Sequence, residues 1–129
     1  MNKFTTIVLL LIVSAVTVVS SGHALDVDDA SITSAIVERA PVDSLNSISA
    51  DSIRLYCYTK VSGAVDDTWI THVWYWHDRE MARVRLPVQS SNWRTWSSKQ
   101  MLPQWSGQWR VEVLDADEHH LLVIPFSIE

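Results

Sequence analysis

Cysteine is all but missing from this chain. Cys57 is the only one in 129 residues, so no intramolecular disulfide can brace the fold. Positive charge is also in short supply. Ten Lys and Arg stand against fifteen Asp and Glu, and a net charge of −5 lacks the basic face on which nucleic-acid binding depends. No nucleic-acid partner is therefore expected. No G-x-S-x-G elbow surrounds a serine, and no pair of carboxylates can be assigned to glycoside chemistry. Asp66, Asp67 and Asp78 fall where turns need them. With so little of an active site to assemble, the expectation is a non-enzyme without cofactor or metal. A helix of normal length, internal repeats and low-complexity segments are absent as well.

Tryptophan, by contrast, is abundant. The chain has seven, and five of them lie between Trp69 and Lys99. A domain without bridges must be held by packing. Each buried aromatic side chain removes about 150–250 Å² from water, and at about 25 cal/mol/Å² that contributes several kcal/mol before entropy is counted. The tryptophans are therefore expected mainly in the core. Arg79, Arg83, Arg85, Arg94, Lys99 and Arg110 gather in the same part of the chain, a distribution compatible with a local basic patch on an acidic protein.

The N-terminus has the pattern of an export signal. Lys3 supplies a short positive segment, Ile7 to Val19 an apolar run, and Gly22-His23-Ala24 the small residues of a cleavage site. The run is short for a hydrocarbon core of about 30 Å. A signal peptide over 1–24, cleaved after Ala24, and a periplasmic or secreted domain are expected. Membrane attachment follows only if that segment is kept. No other segment is apolar enough to span a bilayer, and no Cys directly follows the run to take a lipid. Residues 25–30 read as a flexible acidic N-terminus.

From Ser31 to Glu129 the chain reads as strands. Ser31 to Glu38 is the first, broken by Pro41, which cannot donate to a ladder. Leu45 to Asp51 reads as a loop or short helical turn. Ile53 to Val61 alternates, with Ile53, Leu55, Cys57 and Thr59 on a core face and Arg54, Tyr56, Tyr58 and Lys60 on a wet or partner-covered one. Trp69 to His77 carries rings on both faces, with Ile70 and Trp74 expected inward. Met81 to Val88 points Ala82, Val84, Leu86 and Val88 inward and Arg83, Arg85 and Pro87 outward, the composition of an edge strand. Asn92 to Ser98, Gln108 to Leu114 and His120 to Ile128 complete the set, with a long connection from Lys99 to Ser106. The expected fold is all-β, an antiparallel immunoglobulin-like β-sandwich of about seven strands.

Four runs, in order, carry a likeness to a known family. Tyr56-Cys57-Tyr58, Thr71-His72-Val73-Trp74-Tyr75, Trp93-Arg94-Thr95-Trp96-Ser97-Ser98-Lys99 and Gly107-Gln108-Trp109-Arg110-Val111 together resemble the bacterial domain of unknown function 2914 family. The likeness extends from about Ile32 to the C-terminus, and the RTWSSK run followed by GxWxV is its most specific part. The resemblance implies a small β-rich module of bacterial envelope proteins, sometimes attached to membrane segments, with no established activity. The turn Asp115-Ala116-Asp117-Glu118 departs from the family by lacking a frequent Gly, which implies a different turn type. Cys57 and Trp74 also resemble the core pair of immunoglobulin-like domains in position, with Val111 or Val113 where the second Cys would stand. That likeness speaks to fold alone.

Candidate site residues fall into two groups. Cys57, His72, Trp74 and Trp109 are read as structural core: a mid-strand thiol on an apolar face is inert, and a histidine beside Ile70 and Trp74 needs hydrogen-bond partners. Arg94, Trp96, Ser98, Lys99 and Arg110 are the candidate binding set, because Arg offers a fork for carboxylate or phosphate and Trp a stacking plate. The competing reading is internal, with Arg94 stacked on tryptophan and paired with Glu112 or an Asp. His119 and His120 stand near Asp115 and Asp117, but neighbours on a strand point to opposite faces and should not share an ion. The function expected is a non-catalytic exported envelope module acting by protein–protein interaction. The alternative is a ligand-binding module for an anionic envelope glycan or head group. The expected partner is accordingly an envelope protein or an anionic glycan.

Overall fold

The alternating segments form ten strands in the computed structural model, which describes residues 25–51 and 53–129 together with positions 12, 14 and 15. The expected signal peptide lies almost wholly outside the described residues. Among these, no helix is long and apolar enough to cross a membrane. The strands are β1 (Asp26–Thr33), β2 (Ile36–Val37), β3 (Ala40–Pro41), β4 (Ser47–Ile48), β5 (Ile53–Ser62), β6 (Thr68–Trp76), β7 (Arg79–Val88), β8 (Asn92–Met101), β9 (Gly107–Leu114) and β10 (His120–Ile128). A single 3₁₀ turn, Pro103–Trp105, precedes β9.

Two sheets face each other, β1-β5-β8 and β4-β10-β9-β6-β7, and β2 with β3 forms a small separate hairpin. The long pairs are all antiparallel. Lettered as in immunoglobulin-like domains, the order is A-B-E against G-F-C-C′. The chain is thus the all-β, immunoglobulin-like sandwich that the alternation predicts.

The inner faces meet in an apolar core that a polar layer divides. Leu55, Cys57 and Met101 with Trp74, Trp109, Val111 and Phe126 belong to one cluster, and Val61, Ile70, Val88 and Val113 to the other. His72 sits between Ile70 and Trp74 on β6, and Thr59 between Cys57 and Val61 on β5. Both are fully buried. The larger cluster is aromatic: Phe126 stacks on Trp109 at 5.9 Å and meets Trp74 edge-on at 6.2 Å. Only Trp74 and Trp109 are fully buried, and Trp69, Trp76, Trp93, Trp96 and Trp105 are half-buried. Of the seven tryptophans, Trp74 and Trp109 are core side chains, and Trp76, Trp93 and Trp105 pack part-buried against the clusters.

Three boundaries differ from the sequence reading. Residues 26–30 are not a flexible tail: they form most of β1, with Val27 opposite Val61 and Ala30 opposite Thr59. Asp26, Asp28 and Asp29 are exposed and Val27 and Ala30 half-buried, the register shift between Val27 and Asp29 letting two consecutive acids reach water. β8 does not stop at Ser98 but runs to Met101, because β5 offers Leu55 and Ile53 as partners for Lys99 and Met101. Finally, the region around Pro41 is a hairpin, β2–β3, rather than a simple break.

With only three glycines in the chain, ordinary residues take left-handed turn positions: Glu38 and Arg39 at φ 51° and 64°, His77 at 52° and Glu118 at 64°. Side-chain hydrogen bonds fix two of these turns. In the β9–β10 turn, Asp115 Oδ1 accepts from the amides of Asp117 and His119, both at 2.9 Å, which supplies the order a glycine would otherwise permit. At the base of the β2–β3 hairpin, Asp43 accepts from the Thr33 hydroxyl (2.6 Å), the Ser34 amide (2.8 Å) and the Ser34 hydroxyl (2.6 Å). Burial works to raise the Asp43 pKa, but the bonds from Ser34 and Thr33 outweigh it and leave the carboxyl below its ordinary value. Its contribution is present above the ordinary Asp pKa and is lost as pH falls through the depressed one. Asp43→Ala is expected to cost about 1–3 kcal/mol and to speed amide exchange at Val42, which donates to Ala35 O. Unchanged exchange there would remove Asp43 as the hairpin's anchor.

Candidate functional site

Ser97 and His72 form the closest approach to catalytic chemistry, and they lie inside the sandwich. Ser97 Oγ is 2.7 Å from His72 Nδ1 and accepts from Trp74 Nε1 at 3.1 Å. Thr59 Oγ1 is 3.2 Å from His72 Nε2 and donates to Thr95 O at 3.2 Å. The donor inventory admits one consistent direction. Indole N–H donates to Ser97, the Ser97 hydroxyl to Nδ1, Nε2–H to Thr59, and the Thr59 hydroxyl to the Thr95 carbonyl. Every polar atom of the layer is thereby satisfied with a neutral ring. His72 is fully buried and Ser97 is 4% exposed, so no substrate reaches them. Burial pushes the His72 pKa down to about 3. Cys57, equally buried, has its thiol pKa pushed up by the same cause. It makes no pair with His72.

The candidate binding set is split three ways. Arg94, Trp96 and Ser98 share the outer face of the three-stranded sheet, as their common parity requires. The β5 residues Lys60, Tyr58 and Tyr56 lie directly opposite them, in that order, and Arg54 donates to Ser98 Oγ at 2.9 Å. Lys99 has the other parity. It sits opposite buried Leu55 and holds its ammonium 4.6 Å over the Trp105 ring, where burial and then the Arg54 charge lower its pKa. Arg110 belongs to the other sheet. It stacks 4.2 Å over Tyr75 and bonds Glu112, Asp78 and the His77 carbonyl. Glu112 therefore pairs with Arg110 and not with Arg94. The Arg94 and Lys60 side chains make no hydrogen bond or ion pair among the described residues. Tyr58 is more deeply placed than its outward parity suggests, at 3% exposure, because β5 is the central strand and neighbours on β1 and β8 flank it.

One edge of that sheet is unprotected. β8 pairs with β5 through all ten residues without a register shift, and no strand pairs with its other side among the described residues. Sequence reasoning missed this edge. It needed the register of β5 against β8, strands separated by the β6–β7 hairpin of the other sheet.

The outer face of the five-stranded sheet is self-neutralised. Arg83 pairs with Glu80 at 2.8 Å and Glu118 at 3.5 Å, and His120 meets Glu112 at 3.3 Å. Arg85 stacks 4.3 Å over Trp69 beside a shallow cleft of about 260 Å³ that Thr71, Arg83, Asp115 and Glu118 also line. Donor atoms of Asp115, Asp117 and His119 lie within 4.8 Å of one another. His120 turns away to Glu112, so the two adjacent imidazoles do not converge.

The comparisons add a family and a distant outline. The β-glucosidase from Listeria innocua in complex with glucose is similar with a TM-score of 0.46 at 8% identity, over 82% of this chain and 16% of that one. A mutant of that enzyme in complex with laminaribiose gives 0.44 at 10% identity, over 83% and 16%. The chain thus spans about a sixth of those enzymes' length, and a likeness at this level bears on neither activity nor substrate. No curated protein matches the chain. A family model does match, over residues 67–128, from the start of β6 through β10; the Tyr56-Cys57-Tyr58 run lies outside it. The model is that of the family described as Protein of unknown function (DUF2914), and residues 67–128, just under half of the chain, are similar to it.

Proposed function

We propose that this protein is an exported, non-catalytic module of the bacterial envelope that acts by protein–protein contact. The observation that carries the reading is the β8 edge, a strand with a continuous register on one side and, among the described residues, no strand paired on the other. A free edge is a template for pairing with another chain. The burial of Ser97, His72 and Cys57 supports a non-catalytic role, since the groups with nucleophile chemistry are sealed from solvent. A photoreactive side chain placed at Asn92, exposed at the start of β8, is expected to yield a protein adduct in intact cells, and one at Val123, exposed on the far sheet, to yield none. Adducts from Val123 alone would overturn the assignment.

A second reading, binding of an anionic glycan or head group, draws on Arg94 and Lys60 beside Tyr56 and Trp96. It ranks lower because a glycan platform needs exposed coplanar rings, and Tyr58 is buried while Trp96 is half-buried.

A further inference from the structure

We infer that the occupant of the β8 edge is an extended segment of a partner protein in which acidic and apolar residues alternate, added as a fourth strand to the β1-β5-β8 sheet. This rests on the protein-contact reading and narrows it to a partner chemistry.

The edge is selected by contrast with the others. β1 has a register shift between Val27 and Asp29 and carries three aspartates. β7 carries Pro87. β10 carries Pro125 and a shift between His120 and Leu122, and β4 pairs with its end. Bulges, prolines and covering strands are the devices that keep edges from pairing with strangers. Among the described residues β8 has none of them. Lys99 is its one inward charge, and that ammonium is already held over Trp105.

The chemistry of the occupant follows from the two sides of β8. On the outer side Arg94 lies directly opposite Lys60. Like charges across a strand pair repel. Lys60 has relief from its other neighbour, since β1 places Asp29 beside it. Arg94 has no such neighbour, and a fourth strand with a carboxylate at that position supplies one. On the inner side β8 shows half-buried Trp93 and Thr95 and lies against β7 across the sandwich. Apolar side chains of an added strand fit there. β1 is the precedent within the fold. It covers the opposite edge of the same sheet with Asp29 outward and Val27, Ala30 and Ile32 inward, against Val61, Thr59 and Cys57.

A second copy is the weaker occupant. β8 itself reads NWRTWSSKQM, with two cations and no acid, so pairing it with its own copy offers Arg94 no carboxylate.

The test uses the full-length protein and a fluorescein-labelled ten-residue peptide of alternating aspartate and valine, followed by anisotropy. Saturable binding is expected, weakened at least tenfold by Arg94→Glu and unaffected by Arg83→Glu on the other sheet. A version of the peptide methylated at every amide is expected not to bind, because it cannot donate to a strand edge, and a lysine–valine peptide is expected not to bind either. Binding of the methylated peptide, or equal binding of the lysine–valine peptide, would overturn strand addition by an acidic segment. If the aspartate peptide fails while the Asn92 position still cross-links in cells, this inference falls and the contact reading stands. If both fail, both fall. Self-association that Arg94→Glu abolishes would assign the edge to a second copy. An anionic glycan bound with the same Arg94 dependence, where the peptide is not, would assign it to the polysaccharide reading.

Discussion

The stability of the domain is expected to fall steadily as the pH drops from about 6.5, and His72 is the reason. Its ring is buried and neutral in the folded protein, with a pKa pushed down to about 3 by burial from an ordinary 6.5. Between those values the unfolded chain binds a proton that the folded chain refuses. The contribution of the neutral ring is therefore fully present above the unfolded pKa and is lost as pH falls toward the folded one. One proton corresponds to about 1.4 kcal/mol per pH unit in that window. The groups touching the ring are Thr59 and Ser97, neither of which titrates, so nothing in the layer can compensate the charge. Urea midpoints measured from pH 7.5 to 5 should decline in the wild type. His72→Gln, whatever it costs at pH 7.5, should lack this group's share of that slope. A wild-type midpoint that stays flat would mean the imidazole accepts its proton in place, against the sealed geometry.

Much of this sandwich was legible in the sequence because alternation is a local property. The inward set Trp109, Val111 and Val113 on β9 could be read from period two alone, and all three are buried. The likeness to the family could also be read in the RTWSSK and GxWxV runs, both within the matched residues. Register between strands was not legible. Arg54, Tyr56, Tyr58 and Lys60 were recognisable as one face of β5, and Arg94, Trp96 and Ser98 as one face of β8. Only the pairing of Lys60 with Arg94 and Tyr56 with Ser98 makes them a single surface. Arg110 lies close to them in sequence, yet β9 hydrogen-bonds to β6 and carries it to the other sheet. The acidic segment 26–30 was misread for a related reason: its charges signalled disorder locally, while the edge of β5 gives its small residues a core to face.

Ser97→Ala is expected to be among the most destabilising single-atom changes available in this protein. Ser97 Oγ is the hub of the polar layer, accepting from Trp74 Nε1 and donating to His72 Nδ1. Its removal strands a buried donor and a buried acceptor, each at about 1–3 kcal/mol. For a domain near 100 residues, every kcal/mol lowers Tm by about 4–8 °C, so a drop well beyond ten degrees is the expected result in a thermal melt. The double variant Ser97→Ala/Trp74→Phe separates hydrogen bonding from packing. Trp74→Phe alone gives up indole volume in the larger cluster. In the double variant the orphaned N–H no longer exists, so the two losses should sum to less than the single costs by about 1 kcal/mol or more. Strict additivity would mean that the hydroxyl and the indole act independently, and the directional chain through Ser97 would have to be abandoned. A fluorophosphonate probe asks the functional half of the same question. A serine beside an imidazole is labelled only if the reagent can reach it and the base is free to take its proton. Ser97 meets neither condition, since it is buried and the same burial pushes the His72 pKa down to about 3, leaving the ring a poor base. Labelling of the folded wild type at Ser97 would reverse the non-catalytic reading, whereas labelling confined to unfolded protein leaves this pair where the geometry puts it, as the pin between two sheets.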